Sequence, residues 1–198
     1  MNSIVMATAN KNKIKEIQMH LENWINCLSL EDINCWEEIP EEQDSLEGNA
    51  IQKADYIKNK FGYDCFSEDT GLEIDILGGA PGVYSARYAG PDKNNEANIN
   101  KVLKELSGKS NREAQFRTII ALHWNGKLEL FEGKIRGKIL EEPKGEGGFG
   151  YDSIFQPEGF QKSFAELGIE IKKQISHRSI AVQKMIAFVK EQKNNLKV

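Results

Sequence analysis

Four short stretches of this chain carry residue types with chemical potential. Thr8-Ala9-Asn10-Lys11-Asn12-Lys13 ends an apolar run and opens a helix-compatible segment. Unpaired backbone N–H groups at a helix start favour an anion, and Thr8, Asn10 and Lys13 add side-chain donors. The glycines of a GxxxxGK[ST] phosphate loop are missing, and a plain helix cap with solvated lysines fits the same residues. Ser67-Glu68-Asp69-Thr70-Gly71 sits at the expected end of a strand. Its carboxylates offer hard oxygens to Mg²⁺, which typically takes one or two of them together with substrate phosphates. Glu41 and Glu42 would complete such a set; the alternative is a solvated acidic turn, because Asp and Glu are mostly exposed.

The third stretch, Gly145-Glu146-Gly147-Gly148-Phe149-Gly150-Tyr151-Asp152, holds an aromatic ring among glycines. Such a ring offers a face for a base to stack on, and the glycines let the backbone approach a ligand closely. Asp152 suits a ribose hydroxyl or an ordered water, while a flexible loop with one aromatic anchor is the competing reading. The fourth is Lys172-Lys173-Gln174-Ile175-Ser176-His177-Arg178, expected at the start of the last helix. His177 and Arg178 donors match the 6-oxo and N7 edge of a purine. Ser176 also fits an N-cap, and a basic run is often only a solvated face. Together the four stretches supply an anion cradle, a metal site, a stacking ring and a reader of base edges. They fit one ligand, a nucleoside triphosphate with Mg²⁺.

Positioning these groups falls to alternating strands and helices. Ile4–Ala7 reads as a buried strand, followed by a helix with Ile14, Ile17 and Leu21 on one face. Residues 27–33 read as a second strand. Asp44 and Glu47 have the spacing of a capping box, opening a helix that carries Ala50, Ile51, Ala54 and Ile57. Strands are expected at Cys65–Ser67 and Leu72–Leu77, on either side of Glu68-Asp69. Ile99, Val102, Leu103 and Leu106 mark another helix. Ala114–Trp124 and Lys127–Leu140 read as a long hairpin turning at Asn125-Gly126. A short strand near Ile154 and a last helix over Ser176–Lys190, with Ala181, Met185 and Phe188 on one face, complete the pattern. A long hairpin mixed with crossover helices implies an α/β fold, a mixed sheet flanked by helices.

Composition narrows the classes. A chain of 198 residues, 39% hydrophobic and 28% charged, is long enough to bury a full core. Its net charge of −4 argues against a binder of nucleic acid polymers. Nine of the 17 glycines fall in residues 71–90 and 145–150, beside the second and third stretches. Cys27, Cys35 and Cys65 form neither a disulfide framework nor a zinc pattern. No stretch approaches the ~18 apolar residues of a membrane span, and Met1–Lys15 lacks the features of a signal peptide. A cytoplasmic protein without membrane partners is expected.

In sequence order, the chain resembles the inosine/xanthosine triphosphate pyrophosphatase family over nearly its whole length. The resemblance rests on Thr8-x-Asn10-x-x-Lys13, Asn49-Ala50-x-x-Lys53-Ala54, Glu68-Asp69-Thr70-Gly71-Leu72 and Leu77 through Tyr88. It continues in Gly148-Phe149-Gly150-Tyr151-Asp152, Ala165-Glu166-Leu167 and Ile175-Ser176-His177-Arg178. It implies one catalytic domain over 1–198 with two lobes, a long mixed sheet and a cleft between the lobes, usually as a homodimer. The implied reaction is Mg²⁺-dependent hydrolysis of inosine and xanthosine triphosphates, ribo or deoxy, to monophosphate and pyrophosphate. Position by position, Asn10, Lys13 and Lys53 would hold phosphates with Thr8 in support. Asp69 matches the essential acidic residue, as metal ligand or base, with Glu41 the second metal carboxylate and Glu68 beside it. Phe149 would stack on the base, Asp152 lie beside the nucleoside, and Lys172, His177 and Arg178 contact the base. Thr70, Gly150, Tyr151 and Ser176 accompany them as substrate-binding positions. Departures from the family pattern include Pro40, Gln43 where glycine is common, Gly48 where glutamate is frequent, Ser153, Phe164 and Lys173. Related readings are a pyrophosphatase of other modified nucleotides and a nucleotide-binding module without catalysis.

Overall fold

A computed structural model describes residues 3–21 and 25–195. The first apolar run forms β1 (Ser3–Met6), which pairs in parallel with β2 (Asn26–Leu28) and with β3 (Cys65–Ile74). β4 (Glu113–Trp124) and β5 (Lys127–Ile139) are the expected hairpin, and β6 (Phe155–Pro157) adds antiparallel to β5. The six strands form one mixed sheet in the order β2-β1-β3-β4-β5-β6. Asn125 and Gly126 both take positive φ, at 49° and 78°, the backbone that a two-residue hairpin turn requires.

Five helices accompany the sheet: α1 (Lys11–Leu21), α2 (Leu46–Phe61), α3 (Asn95–Glu105), α4 (Phe164–Ile175) and α5 (His177–Asn195). Four features depart from the sequence reading. Glu68 and Asp69 do not end a strand; they lie inside the ten-residue β3, and 75–77 is a short 3-10 turn. Acidic residues disfavour strands; here both carboxylates are paired with cations, described below. The α2 cap is Ser45, whose side chain accepts from the Gly48 N–H, not the Asp44–Glu47 pair. Ser163 opens α4, a helix absent from the sequence reading, by a true capping box with Glu166. Gly168, at φ 77° and ψ 174°, kinks α4 in its middle and interrupts the helical periodicity. The expected strand at 27–33 is cut short after Leu28, and a single 3-10 turn follows.

The chain divides into two compact units. The first comprises the residues up to Asp69, Thr118–Gly133 and those from Arg178 on; the second is Thr70–Arg117 and Lys134–His177. Each has its own core. Ile4, Met6, Ile17, Leu21, Phe66, Ile120, Leu122, Ala181 and Met185 pack in the first. Leu72, Ile74, Val102, Leu106, Phe116, Tyr151, Phe155 and Phe164 pack in the second. The apolar stripes read from the sequence on α1 and α5 are the faces buried in the first core, with Ile14 and Phe188 at its margin.

In the second unit, the buried Ser163 holds three bonds. Its Oγ accepts from the Glu166 N–H at 3.1 Å and donates to the Lys144 carbonyl at 2.6 Å, while its N–H donates to Glu166 Oε2 at 2.9 Å. Replacing Ser163 by alanine removes the cap and leaves the Lys144 carbonyl without this donor. Ser163→Ala is expected to lower the free energy of unfolding by about 1–2 kcal/mol. Urea unfolding with an unchanged m-value measures it, and a loss under ~0.3 kcal/mol would show that the cap contributes little.

Candidate active site

Successive side chains of a strand point to opposite faces, so the neighbours Glu68 and Asp69 meet different helices. Asp69 faces α2. Lys53, on the second turn of that helix, is buried and places its Nζ 3.1 Å from Asp69 Oδ1, 2.5 Å from Glu41 Oε1 and 2.8 Å from the Glu68 carbonyl. The Asn49 amide donates to Asp69 Oδ2 at 3.5 Å, and its carbonyl accepts the Gln43 N–H at 2.9 Å. Burial works against the Lys53 charge, but Asp69 and Glu41 outweigh it and hold the ammonium above its ordinary pKa. Asp69 has the opposite balance. Burial raises its pKa, and Lys53 and Lys13 only partly offset that rise, to which Glu41 adds.

Glu68 faces α1 and α5. Its Oε1 lies 2.9 Å from Lys13 Nζ and 3.3 Å from Arg178 Nη2, and the other end of the Arg178 guanidinium binds Glu16. Arg178 is 2% exposed; burial opposes its charge, and Glu68 and Glu16 more than restore it. The sequence reading assigned Glu68 to metal and Arg178 to the base. In the structure the two side chains are ion-paired to each other within the first unit. Asn10 caps α1, its Oδ1 accepting the N–H groups of Asn12 and Lys13 at 3.0 and 3.2 Å, and Thr8 Oγ1 accepts the Asn10 N–H at 3.2 Å. These two side chains shape the helix start that Lys13 extends.

The second unit carries the remaining candidates. Asp152 Oδ2 accepts the Phe149 N–H at 2.9 Å and the Lys172 ammonium at 2.6 Å. Lys172, 4% exposed, lies over the Phe149 ring at 4.8 Å and the Phe164 ring at 5.7 Å, distances at which a cation is attracted to the aromatic face. Gly148 has φ 77°, and a Cβ there would collide with the Asp152 carboxylate, so this turn needs glycine on both counts. Gly150 also takes a positive φ, 62°, and Tyr151 anchors the turn by donating to the Ser85 carbonyl at 2.8 Å. His177 is buried and stacked on Phe116, with centroids 4.6 Å apart and planes 15° apart. Ser176, also buried, links α4 to α5 and donates its N–H to the Lys172 carbonyl. Thr70 follows Asp69 on β3, half-buried, as the first residue of the second unit.

The order of these stretches decides the relationship: the Ham1 family pattern matches residues 4–188. The chain belongs to the Ham1 family. A dITP/XTP pyrophosphatase of Flavobacterium johnsoniae is 58% identical to this Ham1 chain over 183 residues, which cover 92% of this chain and 95% of that protein. The Ham1 protein of Staphylococcus aureus superposes with a TM-score of 0.89 at 34% identity, covering 96% of this chain and all of that one. A Ham1 protein from Coxiella burnetii gives 0.90 at 35% identity with the same coverage.

Fitness for a divalent cation can be judged from the donor set of this Ham1 chain. Glu41 and Asp69 bring hard carboxylate oxygens to one lysine ammonium, the pairing that suits Mg²⁺ when phosphates and waters supply the other ligands. Among the described residues no three His, Cys, Asp or Glu side chains cluster as a cage for a metal. Three residues that organise the site had no role in the sequence reading. Glu16 stands three positions after Lys13, so helix periodicity alone puts both on one face. Asn49 lay inside a quoted motif. Phe116 alternates like any core residue of β4, and nothing in the sequence marks it as the seat of His177.

An aspartate whose folded pKa exceeds its unfolded one adds stability below the unfolded value and loses it as the pH rises through the folded one. Without divalent cations, Asp69→Asn is therefore expected to melt above the parent near pH 8. The advantage should shrink as the pH falls and vanish below about 3, where the parent carboxyl is protonated in both states. Calorimetry in EDTA tests this, and a parent that melts higher near pH 8 would reverse the assigned balance.

Proposed function

We propose that this Ham1 chain hydrolyses deaminated purine nucleoside triphosphates, dITP, ITP and XTP, to the monophosphate and pyrophosphate with Mg²⁺. The observation that carries this reading is the convergence of Glu41 and Asp69 on the buried Lys53, in a chain so similar to proteins named dITP/XTP pyrophosphatase. Glu41 and Asp69 would hold the Mg²⁺, with Glu68 beside them fixing Lys13 and Arg178. Bound there, Mg²⁺ supplies charge neutralisation of phosphate oxygens and polarisation of a water.

The chain's own residues divide the work. Lys13, Lys53 and Asn10 bind the phosphates, Thr8 shapes their loop, and the lysine charges offset the negative charge that grows on the oxygens during displacement. A carboxylate of the site takes the proton of the water that attacks the α-phosphorus, and pyrophosphate leaves. Phe149 stacks on the base, with Thr70, Gly150, Tyr151 and Ser176 lining the nucleoside positions and Asp152 fixing the Phe149 turn. Lys172 and His177 read the 6-oxo group, while Arg178 stays in its ion pairs with Glu68 and Glu16. Adenine presents an amino donor there, which leaves those donors unmatched and is rejected strongly. We further infer a cytoplasmic homodimer that takes small nucleotides, not nucleic acid polymers or membranes. Three free thiols support that compartment, as does the lack, among the described residues, of a helix able to cross a membrane.

The test is product identity. With dITP and MgCl₂ the protein is expected to release pyrophosphate, with little turnover of dATP and none in EDTA; orthophosphate as first product would make it a phosphatase. Asp69→Asn should retain the fold and lose turnover by ~10²-fold or more. Near-normal turnover in that variant would remove Asp69 from the chemistry.

A further inference from the structure

Glycine inside a helix is disfavoured relative to alanine, yet Gly48 occupies the third position of α2 in helical backbone. Space explains it. A Cβ at residue 48 would lie 2.7 Å from Gln43 Cβ, 3.1 Å from Gln43 Cγ and 3.0 Å from Ser45 Oγ, the atom that caps the helix. Gln43 Cβ is attached directly to the main chain, so relief would require segment 41–43 to move. That segment has no regular structure and is held by α2 side chains. Gln52 Oε1 accepts the Glu42 N–H at 2.9 Å, Asn49 Oδ1 accepts the Gln43 N–H at 2.9 Å, and Lys53 binds the Glu41 carboxylate.

We propose that Gly48 and Gln43 are a matched pair of positioning residues. The missing side chain at 48 seats Gln43 against α2, and that seat sets where Glu41 meets Lys53 and Asp69. The consequence for catalysis rests on the reading of Glu41 as a metal carboxylate; the seat itself does not.

A double-mutant cycle tests both parts. The parent, Gly48→Ala, Gln43→Gly and the double variant are compared by the MgCl₂ concentration giving half-maximal pyrophosphate release from dITP. Amide hydrogen exchange at Glu42 and Gln43 is measured in the same four proteins without metal. Gly48→Ala is expected to raise the MgCl₂ midpoint about fivefold or more and to speed exchange at both amides, whereas the double variant returns within about twofold of Gln43→Gly. A Gly48→Ala protein with parental midpoint and exchange would overturn the proposal, as would a double variant no better than Gly48→Ala. A parent that releases no pyrophosphate overturns the functional reading instead, and the exchange cycle then decides the seat alone.

Discussion

A carboxylate taken out of water must find a cation, and β3 carries two of them in succession. Removing each from water costs several kcal/mol before pairing, so the positions of their partners are obligations of the fold. Lys13 must come from the first turn of α1, Lys53 from the second turn of α2 and Arg178 from the start of α5. Two adjacent residues of one strand thus set where three helices begin or pass. Well-packed apolar residues of the same volume often serve stability equally well. Charges are better explained here by what they do than by what they hold together.

The second unit solves a different problem, that of presenting a ring on a glycine-rich turn. Phe149 is fixed by its own N–H on Asp152 and by the Lys172 ammonium beneath its face, while Phe116, Phe155 and Phe164 form a continuous aromatic base behind His177 and Lys172. Glycine permits the turn, and the hydrogen bonds of Phe149 to Asp152 and of Tyr151 to Ser85 remove the freedom glycine brings.

The strands and helices with clean periodicity, β1, α1, α2, the β4–β5 hairpin and α5, were legible because each buries one face and a regular pattern records it. The centre of β3 was not, because the rule that acidic residues end strands holds until specific cations arrive from elements distant in sequence. The same blindness affected Arg178. Its type suggested a reader of base edges, but its partner Glu16 lies 162 residues away and no local signal joins them. α4 was hidden by its kink at Gly168, although its capping box was present in Ser163 and Glu166. Among site residues the types were legible; which carboxylate faces which cation was a property of pleating and packing.

Because Glu68 and Asp69 project from opposite faces of β3, their duties are separated by a single step along the chain. A one-residue slip of β3 against β1, where Val5 now faces Cys65 and Met6 faces Phe66, would exchange them. Asp69 would turn towards Arg178 and Lys13, and the longer glutamate would turn towards Lys53. Strand register, ordinarily a matter of keeping apolar side chains indoors, is in this sheet also the setting that decides which acid meets Lys53 and which meets Lys13 and Arg178. The apolar neighbours Phe66 and Leu72, buried one in each core, therefore bear on those ion pairs without touching them.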